Sequence, residues 1–95
     1  MTEAALSRLI CDLAHSLGWS VFRLPVNRTV RPVKDAVGYP DLTLARDGEV
    51  LWLELKGSRG EMSPAQWGWW HALQPRYHII TPDQWESGRV GELLA

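Results

Sequence analysis

The chain has 95 residues and a net charge of −1, with 45% hydrophobic and 22% charged residues. This length predicts one small domain with a thin core, which association into a dimer would help to bury. The composition excludes a disordered chain. A single Cys11 excludes an internal disulfide framework, and the spacing of the three histidines argues against structural zinc. Because neither a membrane span nor a signal peptide is visible, we expect a cytoplasmic protein that does not bind membranes.

The first predicted element is an amphipathic helix over residues 3–17, in which leucine and isoleucine recur at three- and four-residue intervals. Thr2 is its expected N-cap and Gly18 its expected stop. Glu3 falls on the same apolar stripe as Leu6 and Ile10, which are expected to be buried together with Leu9, Leu13 and Leu17. A carboxylate at this position can answer the helix dipole or reach a neighbouring site as an acidic ligand, and the sequence leaves both open.

A first strand is expected over residues 19–24, followed by a loop over residues 25–37 with two prolines and no clean period. Between residues 23 and 34 this region has four cations and no acid, although the whole chain lacks the basic charge usual in DNA-binding domains. A basic loop suits salt-sensitive DNA binding, and a solvated polar loop is the alternative. The candidate DNA contacts are Arg23, Arg28, Arg31 and Lys34.

Two apolar strands carry the most informative charged residues. Asp41 opens a strand over residues 42–45, and a tight hairpin through Asp47-Gly48 returns the chain along a second strand that ends in Glu54-Leu55-Lys56. Because side chains alternate along a strand, Glu54 and Lys56 share one face and the leucines at 51, 53 and 55 make the other, buried face. Two carboxylates and an amine at one sheet edge suit a divalent cation and a phosphodiester. The alternative is a solvated strand end with a weak salt bridge.

Ser63-Pro64-Ala65-Gln66 has the pattern of a capping box with proline at the first helical position, so it predicts the start of a helix. The period places Gln66, Trp69, Trp70 and Leu73 on one face of that helix, as core. Trp67 projects away from this face, and we expect it and His71 to contact a second subunit, with base stacking as the less favoured use.

A last strand is expected over residues 76–80. Thr81-Pro82-Asp83-Gln84 repeats the capping signature, and a final helix should run through Trp85 to residue 94, weakened by Gly88 and Gly91. The element order α-β-β-β-α-β-α, with one parallel crossover, predicts an α/β fold with a small mixed sheet flanked by helices.

Three motifs occur in order: Gly38-Tyr39-Pro40-Asp41, Glu54-Leu55-Lys56-Gly57 and Ser63-Pro64-Ala65-Gln66. Together they resemble the PD-(D/E)xK nuclease superfamily and, within it, the VRR-NUC group in its short stand-alone form from phages and bacteria. The resemblance covers residues 3–85. It implies a restriction-endonuclease-like core and a homodimeric, Mg²⁺- or Mn²⁺-dependent deoxyribonuclease. Such an enzyme would cut branched DNA, as Holliday-junction resolvases do, and leave 5′-phosphate and 3′-hydroxyl ends.

The same resemblance assigns roles to individual residues. Asp41, Glu54, the Leu55 carbonyl and Glu3 would hold one or two metal ions, and Lys56 would orient the attacking water and offset charge on the phosphate. Gln66 would lie beside the lysine and orient a phosphate or water, unless it serves only as a helix cap.

Two other functions remain open from the sequence. One is a nuclease that nicks, removes flaps or trims ends with the same site. The other is a DNA-binding or assembly module that no longer cuts.

Overall fold

A four-stranded mixed sheet flanked by helices forms the centre of the computed structural model, which describes residues 1–23 and 34–95. Its element order matches the predicted order except that the final helix is divided in two, and most of the predicted loop over residues 25–37 lies outside the described residues. A short 3-10 turn, Lys34–Ala36, leads from that segment toward the second strand. The helices and strands, in chain order, are α1 (Glu3–Ser16), β1 (Ser20–Arg23), β2 (Leu42–Arg46), β3 (Glu49–Leu55), α2 (Pro64–Leu73), β4 (Tyr77–Ile80), α3 (Pro82–Glu86) and α4 (Arg89–Leu94).

Helix α1 begins and ends close to where the sequence predicts. The Thr2 hydroxyl accepts a hydrogen bond from the Ala5 amide at 3.1 Å, which confirms the N-cap. Gly18 has a φ of 85° two residues after the helix ends. The buried stripe is narrower than predicted, because Leu9 and Leu17 are 38% and 36% exposed. The buried residues of α1 are Leu6, Ser7, Ile10, Cys11 and Ala14.

The β2–β3 hairpin fixes the register of the sheet. Asp47 and Gly48 have φ angles of 51° and 79°, the left-handed pair that a two-residue hairpin turn of matching twist requires. Leu42 then pairs with Leu53 and Leu44 with Leu51. Strand β1 extends the sheet antiparallel to β2, and β4 joins β3 in parallel after the crossover through α2, which confirms the predicted connection.

The two faces of the sheet are covered to different depths. The face of Leu51, Leu53 and Leu55 packs against α1 and α4 and forms the core. The opposite face is covered by α2, none of whose residues is fully buried. The prediction that Trp69, Trp70 and Leu73 belong to the core is therefore wrong about their depth, since these side chains are half-buried.

The final helix divides into α3 and α4 at Gly88, whose φ of 84° is left-handed and ends a right-handed helix. Helix α4 is anchored by fully buried Val90 and Leu94. Across the sheet, Arg46 lies 4.2 Å above the Trp19 ring and donates to the carbonyls of Leu17 and Leu94. Within the described residues, no helix combines the length and the apolar character required to cross a membrane.

Candidate active site

The predicted acidic pair meets at one end of the sheet. Because β2 and β3 are antiparallel, Asp41 at the entrance to β2 lies beside Glu54 near the end of β3. The Asp41 Oδ2 accepts a hydrogen bond from the Leu55 amide at 2.7 Å, which fixes this carboxylate against the end of the hairpin. The preceding residue, Pro40, is fully buried and anchors the chain just before Asp41. The expected convergence of Asp41 and Glu54 is therefore present.

Glu54 lies far deeper than a solvated strand end, with 2% of its surface exposed. Burial, the hydrogen bond with Asp41 and the charge of Asp41 raise the pKa of Glu54 from 4.5 to about 9, and Lys56 offsets only part of this rise. The charge of Asp41 thus favours the protonated form of Glu54 when no cation is bound. A buried carboxyl beside a second carboxylate, as Glu54 is beside the exposed Asp41, is stabilised by a proton or by a positive ion.

Gln66 connects the amine to the buried acid. Its Oε1 accepts from the Lys56 Nζ at 2.9 Å and from the Ser63 amide at 2.8 Å, and its Nε2 donates to Glu54 Oε1 at 3.3 Å. The Gln66 amide also donates to the Ser63 hydroxyl at 3.2 Å, which completes the capping box. One side chain thus serves both as the helix cap and as a partner of the charged pair, which the sequence had presented as alternatives.

Glu3 reaches the rim of the site from the first turn of α1. Its Oε1 accepts from the Gly57 amide at 3.4 Å, immediately after Lys56. The side chain is exposed, so the expectation that it shares the buried stripe is wrong. Its charge still contributes to the raised pKa of Glu54. Glu3 therefore lies close enough to act on the carboxyl pair, from the solvent side.

The donor set of the site consists of oxygen atoms. In residues 1–23 and 34–95, no three side chains of histidine, cysteine, aspartate or glutamate cluster as a ready-made metal site. Two carboxylates converge, however. The Leu55 amide donates to Asp41, whereas the amides of Trp52 and Lys56 point to the other side of β3 and bond Arg76 and Ile80. Because the amide and carbonyl of one strand residue point the same way, the Leu55 carbonyl lies on the side of Asp41. Carboxylate and carbonyl oxygens with room for water fit a Mg²⁺-type ion, and the mutual repulsion of the pair is what such an ion relieves.

An aromatic cluster supports the acidic end, and the sequence analysis did not identify it. The Tyr39 hydroxyl is 2.9 Å from the Thr43 Oγ1 and accepts from Trp52 Nε1 at 3.0 Å. The Tyr39 ring packs edge-on to Trp69 at 5.0 Å. Since Tyr39 precedes Pro40-Asp41, these contacts hold the acid in place. Thr43 and Trp52 are cross-strand partners, and that pairing is the sequence signal that could have predicted the cluster.

The predicted DNA contacts are only partly described. Arg23 is exposed at the end of β1, where its backbone pairs with Leu42, the neighbour of Asp41. It therefore presents a positive charge at the same end of the sheet as the acidic pair. Arg28 and Arg31 lie outside the described residues, as does the side chain of Lys34.

The predicted dimer contacts are on the exposed side of α2. Trp67 is 44% exposed and His71 is also exposed, as expected. Both pack edge-on against Trp70, with ring centroids 5.5 Å and 5.0 Å apart respectively. The three rings form one aromatic surface beside the site.

No protein-family model matches the chain, and no curated protein or solved structure matches it. The chemistry of the site accordingly rests on its own residues.

Proposed function

We propose that the chain is a divalent-metal-dependent DNA endonuclease with a restriction-endonuclease-like core, selective for branched DNA and active as a homodimer. The observation that carries the proposal is the convergence of Asp41, buried Glu54 and Lys56 at one end of the sheet, joined through Gln66. A buried carboxyl beside an amine is costly to fold and is typical of a functional site.

Asp41, Glu54 and the Leu55 carbonyl are the groups that would hold a Mg²⁺ or Mn²⁺ ion, with Glu3 at the rim. When bound, the ion would supply a water of lowered pKa and positive charge for the attacked phosphate. The protein fixes Asp41 through the Leu55 amide and keeps Glu54 out of water, so neither carboxylate has to be ordered when the substrate arrives.

Lys56 is the one cation hydrogen-bonded within the described part of the site. The side chain is half-buried, and its amine donates to the Gln66 oxygen at 2.9 Å. Because Gln66 also bonds Glu54, this hydrogen bond keeps the amine near the Glu54 carboxyl. There it can orient water and offset the charge that develops on the phosphate. Arg23 is exposed at the same end of the sheet, and in this proposal it would contact the DNA backbone.

Selectivity for branched DNA follows from size and symmetry. A chain of 95 residues has little surface for reading bases in a groove. A two-fold dimer would present two such sites, one for each of a pair of strands at a junction. Exposed Trp67 and His71, which pack on half-buried Trp70, are the dimer contact in this proposal, since tryptophan is enriched at interface hot spots.

The proposal is tested by incubating the protein with a labelled four-way junction, a nicked duplex and a linear duplex, each with Mg²⁺, Mn²⁺ or EDTA. We expect cleavage of the junction with either metal and none in EDTA. Lys56→Ala should slow cleavage by about 100-fold or more, the usual effect of removing one charge-stabilising group. Arg76→Ala is the matched control, because Arg76 is exposed at the opposite end of the sheet.

The preferred substrate separates the two nuclease functions. Equal cleavage of the nicked or the linear duplex would assign general nicking or end trimming instead of junction selectivity. Binding of DNA without cleavage under either metal would contradict the proposal and leave a binding module.

A further inference from the structure

The carboxamide oxygen of Gln66 already accepts as many hydrogen bonds as it can. A carboxamide oxygen has two lone pairs, and here Lys56 Nζ and the Ser63 amide occupy both, at 2.9 Å and 2.8 Å. The orientation of the amide follows from its neighbours, because the flipped amide would point its NH₂ group at the Lys56 amine and the Ser63 amide, both of which are donors. Gln66 therefore has no acceptor left with which to orient an attacking water.

On its nitrogen side, the carboxamide faces the buried acid. The Nε2 donates to Glu54 Oε1 at 3.3 Å, so the amide bridges the amine and the carboxylate. A bridge of this kind sets the positions of both side chains relative to each other, since each is hydrogen-bonded to the same planar group. The two charged groups share the same side of β3 but have flexible side chains, so their strand alone does not fix this geometry.

Ser63 holds the bridge at the start of α2. Its amide bonds the Gln66 oxygen, and its hydroxyl accepts the Gln66 backbone amide at 3.2 Å. Gln66 is thus fixed at both its main chain and its side chain by one residue. A capping box normally stabilises only its own helix, whereas here its glutamine also reaches the charged pair.

We propose that Gln66 is a positioning residue that couples Lys56 to Glu54, and that the Ser63 cap sets its orientation. The inference rests on the proposed function for its kinetic consequence, but not for the geometry, which exists without metal or DNA. Gln66 acts on the two charged side chains, and Ser63 acts through Gln66.

The chain contains a matched control in its second capping box. At the start of α3, Gln84 Oε1 accepts from the Thr81 amide at 3.4 Å, in the same sequence pattern with proline at the first helical position. Among the described residues, Gln84 reaches no ionised side chain through a hydrogen bond. Thr81→Ala therefore changes the residue at the start of the second capping box without touching Asp41 or Glu54, and Ser63→Thr retains the hydroxyl at the first cap.

The first arm of the test uses the metal-free protein and the side-chain amide signals of ¹⁵N-labelled glutamine in NMR spectra. We expect the two Gln66 amide protons to be well separated in the wild type and in Ser63→Thr, and to shift toward free glutamine in Ser63→Ala. Thr81→Ala should leave the Gln66 signals unchanged. Unchanged Gln66 signals in Ser63→Ala would overturn the role of Ser63, whether or not the protein cuts DNA.

The second arm measures single-turnover cleavage and, separately, the affinity for DNA in EDTA. Gln66→Ala should slow cleavage without weakening DNA binding, and Ser63→Ala should slow it by roughly fivefold, the factor that corresponds to one typical N-cap hydrogen bond. Ser63→Thr should restore the rate, and Thr81→Ala should leave it unchanged. If Gln66→Ala instead weakens DNA binding with an unchanged cleavage rate, Gln66 contacts phosphate and the positioning role is wrong. Absence of cleavage by the wild type would contradict the proposed nuclease alone, since the NMR arm still decides the geometry.

Discussion

The buried carboxyl of Glu54 makes the stability of the metal-free protein depend on pH. The folded Glu54 carboxyl has a pKa of about 9, whereas the same carboxyl in the unfolded chain has a pKa of 4.5. Between these values the folded state binds more protons than the unfolded state, so the free energy of unfolding falls as the pH rises through this window.

We therefore predict that Glu54→Gln, which mimics the protonated acid, gains stability over the wild type as the pH rises from 5 to 8.5 in EDTA. The free energy of unfolding of both proteins, measured by urea titration at each pH, checks this. A difference between the two proteins that stays constant across the range would show that Glu54 is already ionised in the folded state.

The two tyrosines of the chain provide a paired test of polar burial. The Tyr77 hydroxyl is buried and has no hydrogen-bond partner among the described residues, whereas the Tyr39 hydroxyl bonds both Thr43 and Trp52. Burial, followed by the charges of Glu54 and Asp41, raises the pKa of Tyr77 above its ordinary value.

We predict that Tyr77→Phe raises the free energy of unfolding by about 1 kcal/mol, because it removes an unsatisfied buried group. Tyr39→Phe should lower it by about 1 kcal/mol, because it leaves the Trp52 N–H without its acceptor. Urea denaturation of both variants at pH 7 measures the two effects. Effects of the same sign would contradict the different hydrogen bonding of the two hydroxyls.

At the scale of elements, the segment that leads into β2 approaches the start of α2 closely at Gly38. A Cβ built on Gly38 would lie 2.7 Å from Ala65 and 2.8 Å from the Gln66 nitrogen, and the residue has a φ of 78°. Both the close approach and the left-handed backbone require glycine. Gly68, in the middle of α2, has open space around the same position.

We predict opposite effects for alanine at these two glycines. Gly38→Ala should destabilise the protein by about 1–3 kcal/mol through the clash and the backbone strain. Gly68→Ala should stabilise it by roughly 0.5–1 kcal/mol through helix propensity. Thermal unfolding monitored by circular dichroism compares the two, and a tolerated Gly38→Ala would show that α2 moves aside easily.

Local signals predicted most of the elements. Both capping boxes, the Asp47-Gly48 turn and the α1 cap depend on contacts between residues at most four positions apart, which the sequence displays directly. The sequence predicts only that Gly88 weakens the final helix, not that the helix ends there. Whether a glycine within a helical pattern adopts a left-handed φ depends on how the following residues pack, which the pattern does not show. The shallow burial of α2 depends on how far that helix sits from the sheet, which periodicity does not encode.

The site was predictable to the same extent. Alternation along β3 and the hairpin turn were sufficient to bring Asp41, Glu54 and Lys56 together. The depth of Glu54, the double role of Gln66 and the exposed position of Glu3 were not, because each depends on the packing of a helix against the sheet. The supporting role of Tyr39 could not be predicted, because its hydroxyl partners come from two different strands.

At the scale of the whole molecule, the sheet separates a deep core from a shallow cover. Leu6, Ile10, Val90 and Leu94 are completely buried on the side of α1 and α4, whereas α2 has no fully buried residue on the side of the site. Local opening costs least where little apolar surface is lost, so α2 should open before the rest of the fold.

We predict that backbone amides in α2 exchange with solvent deuterium at least about tenfold faster than those in β3 and α1, because their opening exposes less apolar surface. Native-state hydrogen exchange followed by NMR in low urea gives the opening free energy of each amide. Equal opening free energies in α2 and β3 would mean that the two layers unfold as one cooperative unit.

The shallow seating of α2 has a consequence for how this chain can change through mutation. Substitutions at half-buried positions disturb folding less than substitutions in a packed core. The helix that carries Gln66 and the aromatic surface can therefore vary while the leucine core under α1 and α4 keeps the chain folded. Under the proposed function, substrate preference and partner choice would then diverge on a scaffold whose folding depends on other residues.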